Sequence, residues 1–203
     1  RGLPVDASGA TLSPGDLELR NGSVVEISGT WNGSRVIATR VSGRRGRIGL
    51  EASVAGIDSQ AGTFTLQYGP GTIEVSVDAR TLIDDDRDDL PFLQLTDLGT
   101  GDYLEVEAID VGGTLLATRV DRDDDDDETE IQAPVQSFVE GVNVTLLGLT
   151  FDVTGAEFEN VADKDIPATA FFASLRLGAL VKVSDDEPVD GFAEEVEFEF
   201  KSA

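Results

Sequence analysis

Alternating apolar and polar positions recur through the middle of the chain and predict β-strands. Apolar residues occupy every second position in residues 50–54, 63–68 and 73–77, and turn-forming glycines separate these runs. Residues 93–98 break the alternation and predict a short helical turn, after which residues 103–120 predict two more strands. The order β-β-β-α-β-β is typical of OB-like small barrels. The sequence therefore predicts an all-β fold.

The same order of elements recurs in the last third of the chain. Alternating apolar positions again predict three strands, a helix and two further strands. The predicted strands are residues 131–135, 142–146, 149–153, 180–183 and 192–200, and the predicted helix is residues 168–175. This segment is therefore expected to form a second small barrel.

An internal repeat connects these segments with the beginning of the chain. The tetrapeptide Ala-Thr-Arg-Val occurs at residues 38–41 and at residues 117–120, an offset of 117 − 38 = 79, and Gly22 and Gly101 share that offset. Similarity at a fixed spacing indicates one structural module used repeatedly. We divide the chain into a truncated first repeat (residues 1–47) and two complete small barrels (residues 48–122 and 129–203).

The first repeat is shorter than the others by about two strands. Only twenty-one residues precede Gly22, whereas the offset requires roughly fifty. The remaining pattern predicts a hairpin of residues 24–27 and 36–41 around Asn32-Gly33, a dipeptide typical of a type I′ turn. An incomplete barrel leaves an open strand edge, which either residues upstream of Arg1 or a second polypeptide could cover.

Composition narrows the function classes. The 203-residue chain has a net charge of −25, and it contains no Cys, His or Met. Such a charge argues against nucleic-acid binding, because phosphate contacts need clustered Lys and Arg. The missing residue types exclude disulfides, imidazole or thiolate metal sites and His-dependent catalysis. No apolar run approaches the roughly 20 residues of a membrane span. We expect a non-enzymatic, exported product in its mature form.

Charge is distributed unevenly along the chain. Residues 1–47 contain seven Arg against four acidic residues, a balance of +3, and the remainder carries 8 − 36 = −28. Three of these arginines, Arg44, Arg45 and Arg47, lie at the first repeat junction. One interpretation is a solvated junction. The alternative is charge complementarity between the basic end of one molecule and the acidic body of another, which would steer assembly.

Two aspartate runs are candidate calcium ligands, because Ca²⁺ prefers carboxylate oxygens. Neither run fits an EF-hand loop, and consecutive strand residues point to opposite faces of a sheet. The alternatives are neutralisation by arginine and a merely acidic, salt-adapted surface. The candidate ligands are Asp84, Asp86, Asp123, Asp125 and Asp127.

Two other residue patterns suggest binding or catalysis. The pairs Glu105/Glu107 and Glu195/Glu197 lie at strand spacing, where glycosidase carboxylates could sit, but exposed strand faces carry such pairs routinely. Trp31, with Tyr68 and Tyr103, could form a sugar-stacking platform, although core packing is the simpler interpretation.

Several segments resemble a bacterial family of domains of unknown function, which occurs in tandem in secreted and envelope proteins. The resemblance is carried by Gly-Asp-Tyr-Leu-Glu-Val-Glu-Ala (residues 101–108), Gly-Gly-Thr-Leu-Leu-Ala-Thr-Arg-Val (112–120), Ala-Gly-Thr-Phe-Thr-Leu (61–66) and the opening residues 3–11. It implies an exported protein of OB-like small barrels and supplies no catalytic residues. The expected location is the cell envelope or the extracellular space.

These observations favour a structural or assembly subunit that joins with copies of itself, as an oligomer or filament. Residues 195–200 alternate acidic and apolar side chains, so Val196, Phe198 and Phe200 are candidates for a strand donated to the open first repeat of a neighbour. The alternative is a monomeric OB-like module that binds an oligosaccharide or peptide, which the low aromatic content of 6% disfavours.

Overall fold

The computed structural model describes residues 3–13, 25–43, 48–88, 90, 93–125, 127–162 and 164–199. Strands account for most of this part of the chain, and its one α-helix is short. The predicted all-β class is confirmed. The chain divides into two compact units, residues 1–46 (unit 1) and residues 47–202 (unit 2). Within the described ranges, no helix is long and apolar enough to cross a membrane.

Unit 1 is a small sheet centred on one strand. Strands β1 (Val5–Asp6) and β2 (Thr11–Ser13) both run parallel to β4 (Val36–Gly43), one after the other along the same side. Strand β3 (Val25–Trp31) pairs with the opposite side of β4 in an antiparallel hairpin. The predicted hairpin is therefore present.

The turn of this hairpin differs from the type I′ prediction. Trp31 pairs with Val36, so the loop has four residues rather than two. Gly33 has a φ of 98°, but Asn32 does not adopt the positive φ that a type I′ turn requires at both central residues. Instead, the Asn32 side-chain oxygen accepts hydrogen bonds from the backbone N–H groups of Ser34 and Arg35. The backbone N–H of Asn32 also donates to the carbonyl of Arg35, so backbone and side chain of Asn32 together close the turn.

The first part of unit 2 (residues 48–123, here called the N-half) begins with three antiparallel strands, as predicted from the alternating pattern. A 3₁₀ turn at Leu95–Asp97 precedes the hairpin of the last two strands. The strands are β5 (Ile48–Asp58), β6 (Thr63–Tyr68), β7 (Gly71–Ser76), β8 (Leu82–Asp85), β9 (Tyr103–Val111) and β10 (Thr114–Asp123).

The C-half of unit 2 (residues 128–199) has the same order with one additional two-residue strand before the helix, and helix α1 (Ala168–Ser174), close to the predicted helix, replaces the 3₁₀ turn. Phe171 and Phe172 of α1 pack against Phe158. The strands are β11 (Glu128–Val139), β12 (Asn143–Leu146), β13 (Leu149–Asp152), β14 (Glu157–Asn160), β15 (Lys164–Asp165), β16 (Leu180–Asp186) and β17 (Glu195–Phe198).

The two halves of unit 2 share a sheet and a hydrophobic core. Strand β5 pairs with β9 and β6 of its own half, and residues 49–51 also pair with residues 130–132 of β11. The buried apolar residues of both halves belong to one continuous cluster. The second and third repeats of the sequence division thus lie within a single compact unit.

The hairpin β3–β4 of unit 1 has the same construction as β9–β10. In each hairpin the register shifts at the equivalent residue of the second strand, which is Thr39 in β4 and Thr118 in β10. The hydroxyl of Thr39 donates to the carbonyl of Ser28, and the hydroxyl of Thr118 donates to the carbonyl of Glu107. The donor residues of the two bonds are 79 positions apart in the sequence, and so are the acceptor residues. The sequence repeat therefore extends to a shared β-bulge.

Candidate functional site

The first predicted calcium ligands lie where β8 runs parallel to β10. Asp84 is on β8, and its carboxylate oxygen Oδ2 lies 3.6 Å from Nη2 of Arg119. Asp86 follows in an exposed turn, and its backbone N–H donates to the carbonyl of Arg122. Arg119 also binds Asp121, with 2.6 Å between Nε and Oδ2. Arginine side chains therefore surround this part of the acidic run.

Arg122 neutralises the buried member of the same run. Its Nε and Nη2 atoms each lie 2.8 Å from a carboxylate oxygen of Asp85, and Nη2 lies 3.1 Å from Oδ2 of Asp88. A second arginine, Arg87, places Nη1 2.9 Å from Oδ1 of Asp102. The hydrogen bond from the Arg122 guanidinium lowers the pKa of Asp85 to about 2. Asp84, Asp85 and Asp88 are therefore paired with arginine side chains, as the arginine alternative expected.

The second predicted run does not converge on one point either. Asp123 and Asp125 are exposed, and their carboxylates accept hydrogen bonds from the backbone N–H groups of Asp124 and Asp127. In the described part of the chain, the group whose carboxylate oxygens all lie within 4.8 Å of one another is Glu159, Glu195 and Glu197. The five predicted ligands are not among these residues.

The predicted donor strand is an internal strand of the C-half. Strand β17 pairs antiparallel with β16 on one side and parallel with β14 on the other. Val196 is fully buried, and the ring of Phe198 stacks on Phe171 with 4.2 Å between the centroids. This placement contradicts the prediction that Val196 and Phe198 belong to a strand available for donation. Phe200, Arg44, Arg45 and Arg47 lie outside the described residues.

Cross-strand registers align carboxylates into a row across unit 2. Each residue of the row pairs with the next on the neighbouring strand, and Ser184 is the one uncharged member. Directly opposed like charges destabilise a sheet unless cations compensate them. We name the following residues the carboxylate row: Asp121, Glu105, Glu51, Glu130, Ser184, Glu195 and Glu157.

Lys182 is an internal counter-ion beside this row. Its Nζ lies 2.6 Å from Oε1 of Glu130 and 2.8 Å from Oε1 of Glu197. Partial burial opposes the charge of Lys182, but the hydrogen bonds to the two carboxylates outweigh it and raise the pKa of the amine. Burial, followed by repulsion from Glu159 and Glu197, raises the pKa of Glu195.

An open groove of about 610 Å³ runs along the C-half part of the row. Its walls carry the carboxylates of Glu128, Glu157 and Glu194 and the half-exposed ring of Phe192. The residues that line it include hydroxyls and carboxylates but no basic side chain. Such a lining attracts cationic groups electrostatically. Among the lining residues, the hydroxyl of Ser184 donates a hydrogen bond to Oε1 of Glu130, with 3.2 Å between the two oxygens.

Asp185 holds the loop at the end of this groove. The residue is 1% exposed, and its carboxylate accepts hydrogen bonds from the backbone N–H groups of Gly191 (2.8 Å) and Asp190 (3.3 Å). Burial, only partly offset by these bonds, raises the pKa of Asp185 to about 6, with a further contribution from the nearby charge of Glu194. The same loop contacts Gly69 and Pro70 of the N-half.

We expect Asp185 to make unit 2 more stable in mild acid. A carboxyl group whose pKa is raised on folding stabilises the fold below its unfolded pKa near 4, and this contribution is lost as the pH rises through about 6. Thermal melts of the chain and of Asp185→Asn check this. The difference between their Tm values should change between pH 4 and 7 and stay constant above pH 7. A difference that is independent of pH would contradict the assignment, and Asp186→Asn, at the exposed neighbouring position, is the control variant.

Strand β3 of unit 1 has an edge that differs from its counterpart in unit 2. Strand β9 pairs with β10 on one side and with β5 on the other, whereas β3 pairs only with β4 in the described part of the chain. At the end of β3, Trp31 is 52% exposed. The two other aromatic platform candidates, Tyr68 and Tyr103, are buried, and their hydroxyls donate to the carbonyls of Glu130 and Glu128. The core-packing interpretation holds for both tyrosines.

Comparison with known proteins identifies the family. The family model described as "Domain of unknown function (DUF5666)" matches residues 1–42 and 51–121, which together make up more than half of the chain. The chain belongs to this family. Both DUF5666 matches end in the equivalent hairpins, β3–β4 and β9–β10. The resemblance found in the sequence is thus confirmed at the level of a family of unknown function.

The chain is also similar to solved structures of CusF from Escherichia coli. A Cu(II)-bound variant of CusF aligns with 16% identity over 40% of this chain and 96% of that chain, with a TM-score of 0.31. The Ag(I)-bound protein aligns with 16% identity over 38% and 92% of the respective chains, with a TM-score of 0.30. No curated protein matches the chain. No residue role is transferred to the DUF5666 chain from these structures.

Two features of the site were not found from the sequence. Lys182 and Glu130 are 52 residues apart and meet only through the register of β11 with β16. Asp185 carries no sequence signal beyond an acidic residue at an inward position of a strand.

Proposed function

We propose that this DUF5666 chain is a non-enzymatic, exported assembly subunit, built from tandem OB-like small barrels, whose copies join by strand pairing into a cell-surface or extracellular polymer. The observation that carries the proposal is the way the two halves of unit 2 join. They associate through backbone pairing between β5 and β11, which is the type of contact that an assembly subunit requires.

The contact between β5 and β11 relates equivalent residues. Both strands have a register irregularity, after Val54 in β5 and after Val135 in β11, which sets an offset of 135 − 54 = 81. Leu50 and Ile131 have the same offset, 131 − 50 = 81, and these two residues pair with each other. Equivalent residues that face each other define a local two-fold contact, as in a symmetric dimer. Two modules of this kind therefore have complementary strand edges.

A two-fold contact closes on itself and cannot extend a polymer. Joining further subunits requires a second surface, and β3 of unit 1 supplies a strand edge that β4 pairs on one side only within the described residues. The carboxylate row favours a cationic contact on the partner, as charge complementarity between the acidic body and the basic end of the chain suggests. Strand pairing and charge then act together.

The oligomeric state tests this proposal. Size-exclusion chromatography with light scattering over a range of protein concentrations, with and without EDTA, should show species larger than one chain at high concentration. A chain that stays monomeric at every concentration would contradict the proposal. It would favour the second candidate, a monomeric module that binds an oligosaccharide or peptide, for which the half-exposed Trp31 is the supporting observation.

Ionic conditions should control the stability of unit 2. Opposed carboxylates such as Glu51 and Glu130 repel each other across the strands, and salt screens this repulsion. We expect the Tm to rise with NaCl. The sequence also predicts that the acidic runs bind Ca²⁺, so the Tm should rise further with millimolar CaCl₂. MgCl₂ at matched ionic strength is the control. Equal effects of Ca²⁺ and Mg²⁺ would leave screening alone and remove the case for a specific calcium site.

A further inference from the structure

The pairing of β9 shows what completes an edge like that of β3. In unit 2, β5 runs antiparallel along β9, with Ile48 opposite Ala108, Leu50 opposite Val106 and Ala52 opposite Leu104. The side chains of Ile48, Leu50 and Ala52 are buried, and the residues between them face outward. A covering strand of this fold is therefore apolar at every second position.

The offset of 79 residues transfers this register to unit 1. The positions 108, 106 and 104 of β9 correspond to Gly29, Ile27 and Val25 of β3. Hydrogen bonds from Val54 N–H to the Asp102 carbonyl and from Gly101 N–H to the Val54 carbonyl fix which residues of β9 point their backbone groups at β5. By the alternation of an antiparallel ladder, these are positions 104, 106 and 108. The backbone groups of Val25, Ile27 and Gly29 therefore face the outer edge of β3.

Exposed apolar side chains accompany this edge. Trp31 pairs with Val36, and Val36 pairs with Val5, so the three side chains share one face of the unit 1 sheet. Trp31 is 52% exposed and Val5 is 38% exposed. An antiparallel strand that continues two residues beyond the position of Ile48 reaches the level of Trp31. A bound strand of this length would cover apolar surface as well as backbone groups.

Two candidate covering strands of this chain already have partners within unit 2. Strand β17 is paired on both sides, and β5 is held by β9, β6 and β11. Building on the proposed assembly function, we propose that the outer edge of β3 is an acceptor site for an extended segment of another polypeptide, antiparallel to β3 and apolar at alternate positions opposite Val25, Ile27 and Gly29. The binding is β-augmentation, in which backbone bonds supply affinity and the alternate side chains supply selectivity.

A peptide with the sequence of residues 46–54 is the probe, because it contains the strand that covers β9. Titrated into the isotope-labelled full chain, it should cause saturable amide shift changes in residues 25–31. A control peptide with Ile48→Lys and Leu50→Lys should cause none, because it keeps the backbone and loses the apolar positions. Shifts that are absent from residues 25–31, or equal for the two peptides, would overturn the proposal.

Variants of the acceptor separate this site from assembly in general. Ile27→Lys should weaken peptide binding at least tenfold, and Trp31→Ala, at a half-exposed position that the fold tolerates, should weaken it severalfold. If Ile27→Lys does not fold, Trp31→Ala decides, and unchanged peptide affinity in that variant would contradict the acceptor site. If the peptide fails to bind the parent chain while both variants still assemble as the parent does, the assembly function stands and this site falls. If the peptide binds to a chain that stays monomeric, the site stands and self-assembly falls.

Discussion

Replacing Arg122 by methionine should lower the Tm of unit 2 by roughly 10 °C, since breaking one side of a buried ion pair is among the most damaging single changes. The Arg122 side chain is 7% exposed, and the Asp85 carboxylate that it binds is fully covered. Without the guanidinium, that carboxylate keeps its hydrogen bond from the Leu90 N–H but loses its counter-charge. Thermal denaturation followed by circular dichroism measures the effect. The exposed Arg80→Met is the matched control, and we expect it to change the Tm by very little.

The dependence on pH identifies the cause of this loss. Because the pKa of Asp85 is lowered to about 2, its ionised form stabilises the fold above an unfolded pKa near 4, and this contribution is lost as the pH falls towards 2. The Tm gap between the parent chain and Arg122→Met should therefore narrow in acid. Adding Asp85→Asn to the variant should recover part of the loss at neutral pH, because a neutral side chain replaces the unpaired charge. A gap that is the same at every pH would contradict the ion-pair explanation.

Replacing Gly69 by alanine should reduce the free energy of unfolding of unit 2 by about 3 kcal/mol, through overpacking at the joint between its halves. A Cβ atom on Gly69 would overlap the backbone nitrogen of Gly191 and lie 2.5 Å from the carbonyl carbon of Asp190. Both contacts are backbone atoms, so no side-chain rotation relieves them. The loop of the C-half must move away from the turn of the N-half.

Urea denaturation measures this effect, and Gly99→Ala is the matched control. At Gly99 the nearest atom to an added Cβ would be an oxygen of Asp102, 3.9 Å away, which is an ordinary contact. We expect the control to unfold at nearly the same urea concentration as the parent chain. If Gly69→Ala were as stable as Gly99→Ala, the halves of unit 2 would not be packed as closely as described.

The strand content of this fold was predictable because alternation is a local signal. The buried positions Leu50, Ala52 and Val54 follow the period of two along β5, and α1 lies within one residue of the predicted helix. Strand β8 was missed, because Asp84 and Asp85 are unfavourable strand residues in isolation. Their partners, Arg119 and Arg122, come from β10, more than thirty residues away. Tertiary pairing, which has no local signal, stabilises this strand.

The role of β17 shows a limit of the same kind. Alternation of acidic and apolar residues in Glu195–Phe198 indicates a strand, but it cannot show which neighbours pair with that strand. The segment proved to lie between β14 and β16, so the predicted donor is a core strand. The site around Lys182 was hidden for the same reason, because its contacts depend on cross-strand register.

Amide hydrogen exchange of the whole chain at low and at high protein concentration tests the assembly account most directly. The account predicts that protection at the outer edge of β3, at Val25, Ile27 and Gly29, rises with concentration. Over the same range, the equivalent amides of Leu104, Val106 and Ala108 should be protected throughout, because β5 already pairs with them. Exchange that is independent of concentration in every strand would contradict assembly by strand pairing.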